Sequence, residues 1–120
     1  MAKILVVDDE ELTVEMLSAF LGILGHETIG ALSGRQTRDK LAYENPDAVL
    51  LDIMLPDAHG VDLCKELREM PQMATLPIIM ISAHLPPLLE EAKKAGATDY
   101  LIKPIRLPAL NELLAKNGIG

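Results

Sequence analysis

Ala48-Val49-Leu50-Leu51-Asp52-Ile53-Met54-Leu55-Pro56 runs as four apolar residues without a polar break, then a carboxylate, then a proline-bearing loop. An unbroken apolar run suits a strand buried on both faces, and such strands belong to parallel sheets covered by helices on each side. The same design recurs outward from it. Ile4-Leu5-Val6-Val7 stops at Asp8, Pro77-Ile78-Ile79-Met80-Ile81 stops at Ser82, and Tyr100-Leu101-Ile102 stops at Lys103-Pro104. Glu27 to Leu32 reads as a weaker strand.

Helical patterns separate these runs. From Glu10 to Leu24, Thr13, Met16, Leu17, Phe20, Leu21 and Leu24 form a 3.6-residue stripe that Gly25 closes. Ser33 with Gln36 is a capping box opening a second helix. Arg38 and Asp39 interrupt its apolar face before Pro46, so it is expected to pack least firmly. A third helix, after Gly60, presents Val61, Leu63, Cys64 and Leu67 inward. Pro86 and Pro87 are placed in the first turn of a fourth helix running to Gly96, with Leu88, Leu89, Ala92 and Ala95 on its buried face. A fifth starts near Pro108, buries Leu110, Leu113 and Leu114, and ends at Asn117-Gly118. Strands alternating with helices predict an α/β doubly wound, five-stranded parallel sheet with five helices. Cys64 is expected in the core and His26 in a surface turn.

Composition limits the partners. The 120 residues suit one domain, and 11 Lys+Arg against 18 Asp+Glu give a formal charge of −7. Such acidity offers no footprint for nucleic acid or anionic membrane. A lone cysteine excludes internal disulfides and a Cys-rich zinc site. No apolar stretch approaches a membrane span and no leader peptide is legible, so a cytoplasmic location is expected.

In a doubly wound sheet the carboxyl ends of the strands form the ligand crevice. Asp8, Asp9, Asp52, Ser82 and Lys103 therefore share one edge. At 4–5 Å and an effective dielectric of 20, each carboxylate pair repels by roughly 3–4 kcal/mol, which one lysine cannot neutralise. The cluster must bind a cation or retain a proton, and oxygen-only ligands select a hard ion such as Mg²⁺. Asp52, alone at the end of a central strand, is the candidate nucleophile for an acyl phosphate; Asp8 and Asp9 look like a metal pair. Lys103 and Ser82 would meet phosphoryl oxygens. By themselves Asp8 and Asp9 could decorate a helix start that Glu10 and Glu11 continue; Asp52 and Lys103 in register favour the site.

Asp8-Asp9-Glu10, Asp52-Ile53-Met54-Leu55-Pro56 with Gly60, Ser82-Ala83, Gly96-Ala97, Asp99-Tyr100 and Lys103-Pro104 resemble the receiver domain of two-component response regulators across essentially the whole chain. The resemblance implies the flavodoxin-like receiver fold with sheet order 2-1-3-4-5, an order the chemotaxis member of this family exemplifies. It implies a single receiver domain over residues 1–120 without an effector domain in this chain. Asp52 would accept a phosphoryl group from a histidine kinase or a histidine phosphotransfer protein. Asp9 and Asp52 would ligate Mg²⁺ directly, with Mn²⁺ as a substitute, Asp8 mostly through water, and Met54 through its backbone carbonyl. Ser82 and Tyr100 would be the switch pair, Lys103-Pro104 a cis peptide, and Met54 and His84 would tune the acyl phosphate's lifetime. The chain would be no enzyme beyond its own phosphorylation and dephosphorylation. Its output would be a changed face of the fourth helix, fifth strand and fifth helix, with a phosphorylation-dependent homodimer as one form and the kinase docking near Met16 and Pro104-Ile105.

Two departures stand out. Asp57, Ala58 and His59 replace the usual Gly, apolar residue and Asp or Asn; Asp57 would add negative charge near the metal, while helix-start chemistry explains the pair equally well. Thr37-Arg38 replaces the usual Ala-Leu. A haloacid-dehalogenase-like phosphatase would want acids where Ser82-Ala83-His84 stands. A flavin binder would want a phosphate-cradling loop where Asp8 to Glu11 would repel one. A degenerate receiver would lack the site residues this chain keeps.

Overall fold

The computed structural model describes residues 1–119. Its elements are β1 (Lys3–Val7), α1 (Glu11–Ile23), β2 (Glu27–Ala31), α2 (Gly34–Tyr43), β3 (Ala48–Asp52), α3 (Gly60–Arg68), β4 (Ile78–Ser82), α4 (Leu89–Lys94), β5 (Asp99–Ile102) and α5 (Leu107–Lys116), with a 3₁₀ turn at Pro71–Met73. The strands form one parallel sheet in the order β2-β1-β3-β4-β5. Alternating residues of β1, β3, β4 and β5 feed two cores, and β2 contributes to one of them. Leu5, Val7, Val49, Leu51, Ile78 and Met80 pack on one face with Leu63, Cys64 and Leu67 of α3. Ile4, Val6, Leu50, Ile79 and Ile81 pack on the other with Leu17 and Leu21 of α1 and Leu110 and Leu114 of α5. All five residues of β3 are buried, as its uninterrupted apolar sequence requires.

The helix boundaries follow local chemistry. Gly25 and Gly118 end α1 and α5 with φ of 87° and 80°, a region other residues rarely occupy. Ser33 Oγ accepts from Gln36 N at 3.1 Å, while the Gln36 side chain accepts from Leu32 N at 2.9 Å, a capping box displaced by one residue at its second contact.

Several expectations are corrected. Pro86 and Pro87 lie outside α4, which begins at Leu89, and the Leu85–Pro86 peptide is cis. Each proline lacks an N–H and constrains its predecessor, so the pair delays the helix instead of opening it. Leu89 is consequently exposed, and Leu88 alone of that pair packs on the core. α4, with Ala92 as its buried residue, is less embedded than α2, which buries Gly34, Thr37 and Leu41. Thr37 fits there because its hydroxyl donates to Ser33 O at 2.8 Å, and Arg38 forks onto Glu66 of α3 at 2.6 and 2.9 Å. His26 is buried rather than in a surface turn. Its Nδ1 accepts from Ala2 N at 3.0 Å, and burial, then the chain's amino terminus, lower its pKa. Cys64 is buried, with Sγ 3.6 Å from Ala95 O.

Candidate functional site

Parallel register brings the polar strand ends together. Val7 pairs with Leu51, so Asp8 and Asp52 follow at the same level; Asp52 pairs with Ile81 and Ser82 with Ile102, which sets Ser82 and Lys103 just beyond. Asp8 is 0% exposed and Asp52 5%. The Lys103 ammonium donates to Asp8 Oδ2 at 2.7 Å and reaches Asp52 Oδ2 at 3.5 Å. Asp8 Oδ1 accepts from Glu10 N at 3.0 Å, which orients the carboxylate and starts α1. Asp52 Oδ1 is 3.4 Å from Met54 N.

The electrostatics follow from burial. Desolvation first, then the facing Asp8 charge, push the Asp52 carboxyl up to about 6 against the pull of Lys103. Burial works against the Lys103 ammonium, but its hydrogen bonds and charge contacts with Asp8 and Asp52 prevail and raise its pKa. Asp52 is thus a carboxylate held at high energy beside a fixed cation.

Asp9 is exposed at the rim. Carboxylate oxygens of Asp8, Asp9 and Glu10 lie within 4.8 Å of one another, all hard donors suited to a Mg²⁺-like ion. Glu10 therefore joins the cluster, a role its sequence reading as a helix-start acid did not include. Lys103 links Asp52 to this group through Asp8. Ser82 is buried, its Oγ accepting from His84 N at 2.9 Å, and His84 Nδ1 lies 2.9 Å from Pro86 O. The Tyr100 hydroxyl accepts from Leu88 N at 3.2 Å, joining β5 to the segment before α4. The Lys103–Pro104 peptide is cis, and Lys103 N donates to Ser82 O at 2.9 Å.

The loop after Asp52 closes tightly. Gly60 N donates to Ile53 O at 2.6 Å, and a Cβ at Gly60 would stand 2.6 Å from Ile53 Cα and collide with the Asp52 carbonyl oxygen. Gly60→Ala is expected to cost about 1–3 kcal/mol in urea unfolding, the usual scale of forced overpacking, and to disturb the site through Asp52 itself. Asp57 is corrected: its oxygens accept from Gly34 N at 2.7 Å and Arg35 N at 3.0 Å, so its charge is turned to the start of α2 instead of a metal. Those two amides lower its pKa. His59 is helix-start chemistry too, its Nδ1 accepting from Val61 N at 3.3 Å.

A response regulator receiver domain family model matches residues 4–115. The chain belongs to that family. Receiver domains of this kind are phosphorylation-dependent signalling switches of two-component systems, not conventional enzymes. The alkaline phosphatase synthesis transcriptional regulatory protein PhoP of Bacillus subtilis is 41% identical over 107 residues, covering 85% of this chain and 42% of that protein. The receiver therefore spans under half of that relative. A response regulator structure from Chloroflexus aurantiacus superposes with a TM-score of 0.90 at 34% identity, covering 97% of this chain and 96% of the other. The receiver domain of the sensor histidine kinase PA1611 of Pseudomonas aeruginosa, solved with magnesium coordinated in its active-site cleft, superposes at 0.88 with 29% identity and 98% coverage of both chains. The sheet order of this receiver is that of the expected fold. Among its described residues no helix is long and apolar enough to cross a membrane.

Proposed function

We propose that this receiver accepts a phosphoryl group on Asp52 from a phosphohistidine of a sensor histidine kinase or a histidine phosphotransfer protein. The observation that carries the reading is Asp52 itself: a nearly buried carboxylate, raised to about 6, facing Asp8 and 3.5 Å from the Lys103 ammonium. An Asp52 oxygen attacks phosphorus, the P–N bond breaks, and the imidazole leaves with the electron pair. Lys103 meets one phosphoryl oxygen and the Ser82 hydroxyl donates a hydrogen bond to another. Asp8, Asp9, Asp52 and the Met54 carbonyl would hold Mg²⁺, with Mn²⁺ as a substitute and Glu10 at the cluster's edge. When bound, the ion supplies charge neutralisation at the phosphoryl oxygens.

The conformational reading follows from the contacts Ser82 and Tyr100 would exchange. Drawing Ser82 Oγ toward the phosphoryl group removes the acceptor that holds His84 N, and Tyr100 would turn into the space Ser82 vacates, giving up its bond to Leu88 N. The face of α4, β5 and α5 changes with it, offering a surface for an output partner or a second copy. Met54, 57% exposed, and the exposed His84 flank Asp52 and Ser82 and would govern water's access to the acyl phosphate. The kinase would dock at the groove of about 380 Å³ lined by Thr13, Met16, Ala83, Lys103, Pro104 and Ile105. The domain is read as a single receiver over residues 1–120, cytoplasmic, with no direct nucleic-acid contact of its own.

Incubation with acetyl phosphate and Mg²⁺ is expected to add one phosphoryl group to the intact mass, located at residue 52. Chelating the metal or replacing Asp52→Asn abolishes it. Labelling that persists in Asp52→Asn refutes the assignment.

A further inference from the structure

The loop from Ile53 to Gly60 carries Met54, and it is pinned at its tip by a contact that neither neighbouring strand supplies. Leu55 N donates to Ala58 O at 3.2 Å, Met54 bridges to His59, and Gly60 N donates to Ile53 O, so the loop folds back on itself with Asp57 at the turn. The Asp57 carboxylate then crosses to α2 and accepts from both Gly34 N and Arg35 N. These amides are two of the donors that a helix start leaves without an internal partner, and α2 has no acid of its own in its first turn. Ser33 takes the next amide, Gln36 N, so the start of α2 depends on residues from two different segments.

The contact is close packed. A Cβ at Gly34 would sit 3.1 Å from Ala58 Cβ and 3.2 Å from Asp57 Oδ1, so α2 begins with a glycine where the loop tip presses on it. Further along, Arg38 forks onto Glu66 and ties α2 to α3, the helix that the loop leads into. The loop, α2 and α3 thereby form a closed ring with Asp57 on one side and the Arg38–Glu66 pair on the other. The loop that Asp57 pins carries Met54, whose amide lies 3.4 Å from Asp52 Oδ1.

We propose that Asp57 is a positioning residue for the phosphoacceptor site: by accepting the Gly34 and Arg35 amides it clamps the loop tip to α2 and so holds Met54 in place beside Asp52. The part of this that concerns the metal rests on the reading of Asp52 and Met54 given above. The clamp itself does not.

Amide hydrogen exchange of the metal-free full chain tests the clamp. In Asp57→Ala, Gly34 and Arg35 are expected to exchange about fivefold faster, on the scale of a lost helix-capping acceptor, and Met54, Leu55 and Gly60 to accelerate with them. Acceleration confined to Gly34 and Arg35 makes Asp57 a local cap and overturns the proposal. Acetyl phosphate labelling across a Mg²⁺ titration then reads the consequence. Asp57→Ala is expected to raise the Mg²⁺ midpoint about three- to tenfold, with the rate at saturating Mg²⁺ little changed, because only the pre-organisation of a ligand is lost. Asp57→Asn keeps one acceptor oxygen and is expected to fall between, and it replaces the alanine variant if that fails to fold. Arg38→Met, which removes the α2–α3 ion pair but leaves the Asp57 contacts in place, supplies the stability control and is expected to keep the parental midpoint. A parental midpoint in Asp57→Ala overturns the proposal. Absence of labelling in the parent overturns the reading of Asp52 instead, while the exchange experiment still decides the clamp.

Discussion

An Asp52→Asn protein is expected to melt at a higher temperature than the parent at pH 8, by an amount that vanishes near pH 4. In the unfolded chain this carboxyl ionises near 3.8, whereas burial and then Asp8 push it up to about 6 in the folded protein. Between those values the native state binds more protons than the unfolded one. The associated stability is therefore intact below 3.8 and lost as pH rises through about 6. At roughly 1.4 kcal/mol per unit, ionising Asp52 costs the fold on the order of 3 kcal/mol above that range. Asparagine cannot ionise, so about 1–3 kcal/mol should be recovered at pH 8 after allowing for solvent screening, the attraction of Lys103 being already contained in the value of about 6, a rise of several degrees. Melting curves in divalent-free buffer at pH 4 and pH 8 check this. An equal difference at both would mean that charge at residue 52 is not what strains the fold. A site that gives up stability in this way keeps a nucleophile desolvated and ready, which links the melting curve to the proposed chemistry.

Lys103→Met is expected to act in the opposite direction. The ammonium lies 2.7 Å from a wholly buried Asp8 and 3.5 Å from Asp52, and its removal leaves two carboxylates facing each other without a cation. Breaking a buried pair on one side typically costs about 3–5 kcal/mol; because Lys103 is 20% exposed and water can enter, about 2–4 kcal/mol is expected at pH 8. The loss should shrink at pH 5, where Asp52 holds a proton in place of the lost cation. Millimolar Mg²⁺ should restore part of the stability at pH 8, since a ligand that binds only the folded state adds to it by mass action. Urea unfolding at the two pH values, with and without Mg²⁺, measures all three effects. Parental stability at pH 8 without Mg²⁺ would show that Lys103 does not balance the site's charge.

The legible parts of the molecule were those whose signal is local. Ile4 to Val7, Ala48 to Leu51 and Ile78 to Ile81 are apolar on both strand faces, and each stops at the residue that faces the crevice. Where partners lie far apart in sequence, no local pattern marks them. Arg38 and Asp39 looked like defects in a helix face, yet Arg38 has a partner 28 residues away at Glu66. His26 follows a turn glycine, a place that suggests exposure, but it is buried, and Ala2, just before β1, gives its ring a donor. Pro86 and Pro87 fit a first helical turn locally, but they lie before α4, and the next residue, Leu88, gives its amide to the Tyr100 hydroxyl.

Alternating apolar runs and amphipathic stretches, together with right-handed crossovers, were by themselves enough to determine a parallel five-stranded sheet with its polar strand ends on one edge, because burial periodicity is a property of neighbouring residues. Only the tertiary structure decided how the charges at that edge share their environment: that Asp8 rather than Asp52 takes the short bond to Lys103, that Asp52 is raised to about 6, and that Asp57 turns away to α2. Desolvation and charge–charge distance depend on segments up to 95 residues apart, and no local pattern encodes them.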